Sequence, residues 1–357
     1  VHKGKPKGID GVDKDSIWTY FWAMLPVVQL DAAIAIMEEK GRGIWPDFRL
    51  CRDLFLKWMG CWFKMLGDKK RRQEDYFTPS ETTILSEVMS WDTFRKIKRV
   101  LAFPTYDDSA PEKLADMGPG PDNMRFIRRW LHACNDQWKT SWEAGTYLVV
   151  DETMVAWSGT GTAHLTYIPR KPSPLGIMVK VTCCGSSGVL LHAELVEGAV
   201  VDHNKEWYSE YKATTACTLR LTKQWHGTGR VVVGDAWFGS VRTVEELRNR
   251  GLYAVMCVKQ GCSGYPRAEL RASLRRRGDQ RFYEKDIWLA QGPVPMWAGG
   301  HQDKQPLLLC ATTGTSLPGE KKVRYRSRLE NGNIVKVRYE LEQPDMHATY
   351  RKYAPAV

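Results

Sequence analysis

Two aspartates in this 357-residue chain stand where charge is costly. Asp151 interrupts the apolar run Leu148–Val150 in "TYLVVDETMVAW" (residues 146–157), with Glu152 beside it, and Asp235 closes "RVVVGD". A β-branched run that stops on an acid reads as a strand reaching the end of its sheet. A carboxylate beside a core is protonated, paired, or turned to a cation. Two such strand ends lying side by side would put both acids at one sheet edge. That arrangement suits a hard divalent ion such as Mg²⁺, which takes a few carboxylates, waters and phosphate oxygens. The same residues admit a plainer reading, in which Asp235 turns its strand end and Asp151 meets Arg170 or Lys171. Alternation along a strand points Glu152 away from Asp151.

The elements that would carry these acids can be read from periodicity. Residues 1–88 are helical and irregular. In "SWDTFRKIKRVLAF", Ser90 caps a helix, Asp92 enters its first turn, and Phe94, Ile97 and Leu101 share a face. A loop rich in Pro, Gly and Asp follows (106–122). The next helix carries Met124, Ile127, Leu131, Cys134 and Trp138 at helical spacing. From 146 the pattern turns to strands, with a hairpin at Gly185–Gly188. A strand–helix–strand unit then runs from "GRVVVGD" through a helix ending at Gly251 into "LYAVMCVKQ". After 262 the chain reads as basic and irregular, finishing with strands in "VRYRSRLENGNIVKVRYELE". This is a mixed α/β order.

Lys and Arg outnumber Asp and Glu by 52 to 41, a formal charge of +11, which favours a polyanionic partner such as nucleic acid. The fifteen Trp residues suit base and backbone contact as well as core packing. Nine cysteines, with no CxxC pair, imply reduced thiols in an intracellular protein without a zinc ribbon. No apolar run is long enough for a membrane span, so no membrane partner is expected. The start lacks both an initiating Met and an apolar leader core, which suggests a fragment or a processed piece. Lys69 to Arg72 reads as a solvated turn or a nuclear-import signal. "GTGTAH" (159–164) lacks the ending of a phosphate-binding loop. The eight histidines do not cluster, which excludes a hydrolase triad with Ser158 or Ser240.

The stretch from Asp151-Glu152 through Tyr167-Ile168-Pro169-Arg170-Lys171-Pro172 to Gly176-Ile177 resembles the first signature of piggyBac-type transposases. Asp235-Ala236-Trp237-Phe238, with Ser240 after Gly239, resembles the second. Ala236 stands where the family often has Asn. The resemblance covers roughly residues 89–357. It implies an α/β, RNase H-like mixed sheet with helical N-terminal segments and an inserted domain. The boundaries expected are a helical N-terminal region (1–88), a helical DNA-binding or dimerisation segment (89–145), the catalytic core (146–261), an insertion domain (262–333) and a return to the core (334–357).

By the same resemblance, Asp151 and Asp235 would be catalytic and would bind two Mg²⁺ (or Mn²⁺) ions about 4 Å apart for in-line phosphoryl displacement on DNA. Transposon ends and a TTAA-containing target would be the DNA partners, and the protein a nuclear homodimer. Arg170, Lys171, Lys180, Arg275, Arg276 and Arg277 would contact DNA. The family's third aspartate would fall just past Val357 in the register of "YRKYAPAV", with Asp345 the alternative within the chain. This makes a truncated or decayed transposase the expectation. The rival is a domesticated, non-catalytic protein that binds DNA or protein partners.

Overall fold

The computed structural model describes residues 2–7, 16–67, 72–78, 85–104, 124–157, 164–289, 292–330 and 333–356. The loop at 106–122, Lys69–Arg71 and residues 159–163 lie outside these. The chain divides into a helical unit (15–115 and 121–137) and an α/β unit (1–14, 116–120 and 138–357).

The helical unit holds α1 (Ile17–Met24), which buries no residue, while α2 (Val27–Arg42), α3 (Arg52–Gly67), α4 (Leu85–Val88), α5 (Trp91–Val100) and the first part of α6 (Arg125–Ser141) bring apolar faces together. Leu30, Ile34 and Met37 of α2 meet Phe55, Trp58 and Cys61 of α3 and Phe94 and Ile97 of α5. The Trp58 indole N–H donates to the Phe94 carbonyl at 3.1 Å. Ser90 caps α5 as expected, its hydroxyl accepting the Thr93 N–H at 3.1 Å. Leu101 does not continue the apolar face: its ψ of 122° takes the chain out of the helix, and Val100 is buried instead. On α6, Met124 and Cys134 are buried as expected, while Ile127 is exposed and Arg128 buried. The segments expected as 1–88 and 89–145 thus share one core over most of their length.

The α/β unit is built on a nine-stranded sheet. Outside it, β1 (Lys5–Pro6) pairs with β2 (Trp142–Glu143). The sheet's centre is β3 (Tyr147–Ala156), antiparallel to β5 (Leu175–Cys184). On the far edge of β5 lie β4 (Leu165–Tyr167) and β6 (Leu190–Leu195). On the other side of β3, β7 (Val231–Gly234) and β8 (Tyr253–Cys257) run parallel to it. The order β6–β5–β3–β7–β8, antiparallel then parallel, is that of an RNase H-like core. The hairpin at Gly185–Gly188 forms as expected, with Gly188 at φ 70°.

Alternation sends the strands' side chains to two faces. Leu148, Val150, Val232, Ala254 and Met256 pack under α8 (Tyr208–Thr222) and α9 (Val241–Asn249), which follow the short α7 (Gly198–Asp202). Val231, Val255, Leu309 and Ala311 meet Met346 of the final helix, α11 (Asp345–Tyr353).

Beyond β8 the sheet continues, where irregular chain was expected. After α10 (Arg267–Ser273) come β9 (Gln280–Leu289), β10 (Gly292–Gln302) and β11 (Pro306–Ala311), and β11 pairs with β8. Segment 262–333 is therefore largely an extension of the core sheet. Charges along the edge strand β9 hide its alternation. Pro293 and Pro295 read as loop signals, but β10 pairs with β11 only from Trp297 onward. Its first half meets β9 alone, and a strand open on one side tolerates proline. The sequence-expected terminal strands form a separate ribbon, β12 (Lys322–Glu330) with β13 (Asn333–Leu341).

Candidate metal centre

The last parallel pair between β3 and β7 is Val150 with Gly234. Asp235 follows directly at the end of β7, whereas β3 does not end at Asp151 as expected: it runs on to Ala156, with Asp151 paired to Val181 of β5, so Asp151 stands where β3 loses its β7 neighbour. One carboxylate oxygen each from Asp151, Glu152 and Asp235 lies within 4.8 Å of the other two. The Asp235 turn is held close to the sheet by Gly239, where a Cβ would fall 1.8 Å from the Cys257 carbonyl oxygen. Ser240 then caps α9, accepting the Thr243 N–H at 3.0 Å.

Each aspartate is oriented by a backbone amide. Asp151 Oδ1 accepts the N–H of Glu152 at 2.8 Å, and Asp235 Oδ1 accepts that of Trp237 at 2.8 Å. Burial pushes the Asp151 carboxyl above its ordinary range, and the charges of Glu152 and Asp235 push the same way against the Glu152 amide and Lys171. Among the described residues, no ion pair reaches Asp151 or Asp235. The plainer reading, with Asp151 matched to Arg170 or Lys171, is thus not what forms. Arg170 is exposed, and Lys171 instead donates to the Glu152 carbonyl at 3.2 Å, with its Nζ 3.7 Å from Glu152 Oε1.

Glu152 corrects the alternation argument. Its backbone does pair with Lys180, a neighbour on the α8–α9 face. Yet the β3–β7 ladder has ended two residues earlier, at Val150, and a Glu152 carboxylate oxygen lies within 4.8 Å of one from each aspartate. Glu152 is buried at 8% exposure.

Lys180 was expected to contact DNA, but it is buried at 3% exposure. Its ammonium lies 3.5 Å from Glu152 Oε2 and 3.4 Å from the centre of the Trp237 ring. Burial lowers its pKa, with Glu152 opposing. Arg277 is likewise committed internally. Its guanidinium donates to Asp303 Oδ1 at 2.6 and 3.1 Å and to the Tyr339 hydroxyl at 2.9 Å. Arg275 and Arg276 are exposed, their backbone amides held by Asp279 Oδ2 at 2.9 and 2.6 Å. Asp345 does not join the acid group. It sits at the start of α11, where its carboxylate accepts the Thr315 N–H at 3.2 Å. That helix also brings Tyr350 near the pair. Burial raises the Tyr350 phenol's pKa, and Cys257, Asp235 and Asp151 add to the rise.

These residues fit a divalent cation. Two amide-oriented carboxylates with no arginine partner, one of them resisting ionisation through burial and then through its acidic neighbours, form an oxygen-donor set short of positive charge. Sequence reasoning found both aspartates. It missed Glu152 because the reach of a side chain past a strand end depends on where the neighbouring strand stops. It misassigned Lys180 because only the β3–β5 register reveals Glu152 opposite it.

A mixed sheet of this order, with one acid within β3 and another just past β7, defines an RNase H-like protein of the DDE class. Residues 50–357 match the family model described as Transposase IS4, and the chain belongs to that transposase family. Its two signatures and its fold are of the piggyBac type. The chain is similar in structure to the piggyBac transposase in a synaptic complex with hairpin DNA. The TM-score is 0.72 at 17% identity, over 99% of this chain and 69% of that one. No curated protein matches it in sequence.

Proposed function

We propose that the chain works as a metal-dependent DNA transposase, with Asp151 and Asp235 holding Mg²⁺ or Mn²⁺ at the sheet edge. The observation that carries this is the convergence of Asp151, where β3 loses its β7 neighbour, and Asp235, just past β7, with no arginine to neutralise them. Bound there, the ions would supply Lewis-acid activation of a water or 3′-hydroxyl and charge relief at the leaving oxygen. The chain's own part is to keep the two carboxylates oriented through the Glu152 and Trp237 amides. DNA as partner is supported by the +11 charge and by the DNA in the structural neighbour's complex. Arg170, Arg275 and Arg276 are exposed and available for phosphates, and Lys171 is partly so. The resemblance supports TTAA-type targets. A homodimer follows from the need to hold two transposon ends together, and a nuclear site from the DNA substrate.

A second reading, a non-catalytic DNA-binding protein, is favoured by the two lysines at Glu152, which offset part of the acid charge. Nicking of TTAA-flanked DNA during a Mn²⁺ titration separates the two. The transposase reading expects metal-dependent nicking that Asp151→Asn abolishes. Salt-sensitive binding without any nicking would overturn it in favour of the second reading, and nicking that persists in chelator would overturn both.

A further inference from the structure

The two amides that hold the aspartates belong to Glu152 and Trp237. The side chains of those same two residues converge on one atom. Lys180 Nζ is 3.5 Å from Glu152 Oε2 on one side and 3.4 Å from the centre of the Trp237 ring on the other. The Phe238 ring lies 5.0 Å from the same ammonium. Lys180 therefore links the middle of β3 to the turn after β7, two segments that share no ladder pair beyond Val150 and Gly234. A buried ammonium needs compensation, and an ion pair combined with an aromatic face provides it.

We propose that Lys180 is a positioning residue for the acid pair: by binding Glu152 and the Trp237 ring at once, it sets the two amides that orient Asp151 and Asp235. It touches neither aspartate's carboxylate and acts through its two neighbours. The proposal rests on the reading of Asp151 and Asp235 as the working pair, but its main test needs no metal. A cation placed to repel incoming ions would make the opposite prediction for binding, since its removal would tighten the site. A cation that organises the ligands makes its removal loosen the site, as loss of outer partners does for metal centres.

Hydrogen exchange on the full-length chain, followed by mass spectrometry, reads the two amides through peptides spanning 148–154 and 234–239. Lys180→Met should speed exchange in both by about tenfold, the order expected for losing one charged contact, and leave 215–222 in the α8 core unchanged. Lys180→Arg should restore most of the protection, and Trp237→Leu should reproduce the loss. Unaltered exchange in Lys180→Met would overturn the proposal. Should that variant exchange fast everywhere because it fails to fold, Trp237→Leu decides, since Trp237 is 37% exposed and its truncation spares the core. In parallel, Mn²⁺ titration calorimetry should show affinity about tenfold weaker in Lys180→Met than in the wild type. Equal or tighter binding would overturn the proposal. A wild type that binds no Mn²⁺ while exchange responds as expected would sink the proposed function and leave the positioning role standing.

Discussion

Asp303 and Asp151 lie in the same α/β unit, and their surroundings are opposite. Asp303, just past β10, is 7% exposed and gathers Arg277, Arg324 and Arg351, the last with its Nη2 at 3.9 Å. Burial alone would raise its pKa, but the hydrogen bonds and charges of Arg324 and Arg277 win and hold the carboxyl well below the usual range. Asp151 receives one backbone amide and two neighbouring acids, and burial wins there, so its pKa rises. One acid has its charge fully answered by the protein and ties the β12–β13 ribbon and α11 to the sheet. The other is left short of positive charge where β3 loses its β7 neighbour. A structural carboxylate brings its own counter-ions, whereas a carboxylate awaiting a metal lacks them.

The largest effect expected from this contrast concerns metal. Asp151→Asn and Asp235→Asn should each lower Mn²⁺ affinity by more than the roughly 10–100-fold that loss of an outer partner costs. Asp303→Asn should leave it unchanged. Calorimetric titration of the three variants checks this, and an equal loss at Asp303 would erase the distinction.

Next in size is stability. Asp303→Ala should cost roughly 2–3 kcal/mol in urea unfolding, because it removes the buried carboxylate that holds Arg277, Arg324 and the largely buried Arg351. The contribution of Asp303 comes from a folded pKa below the unfolded value of about 3.9, so it is complete above that value and is lost as pH falls towards the folded one. The wild type should therefore lose stability with acid more steeply than the variant.

The smallest effect has the opposite sign. A raised folded pKa means that ionised Asp151 disfavours the fold at neutral pH, and that this penalty fades as pH falls through the folded value. Asp151→Asn should then stabilise the metal-free protein at pH 7 by roughly 0.5–2 kcal/mol, with the gain shrinking towards pH 4. Thermal unfolding at the two pH values measures it, and destabilisation at pH 7 would show that Asp151 is structural after all.

Much of the core was legible because its strands announce themselves. "YLVV", "RVVVG" and "LYAVMC" are short apolar runs with clear ends, and β3, β7 and β8 formed where they were read. Ser90 and Ser240 both cap helices from the position directly before them. The strands β9 to β11 were illegible for a physical reason. An edge strand carries charges, and a half-paired strand carries prolines, so local pattern and actual pairing disagree. Lys180 looked like a surface cation because nothing local marks a lysine as buried, and nothing local showed that the exposed Arg277 is held by Asp303.

Local chemistry determined that an acid would follow each of two apolar β-branched runs; β7 ends at its acid, but β3 runs on through Asp151 to Ala156 because β5 keeps pairing with it. Tertiary structure alone decided which groups face those acids. That choice depends on register and on where each neighbouring strand stops. It set Lys180 opposite Glu152, carried the Glu152 oxygen round to the aspartates, and gave three arginines to Asp303 and none to Asp151. Electrostatic partners are chosen across space by strand pairing, over separations that no sequence window records.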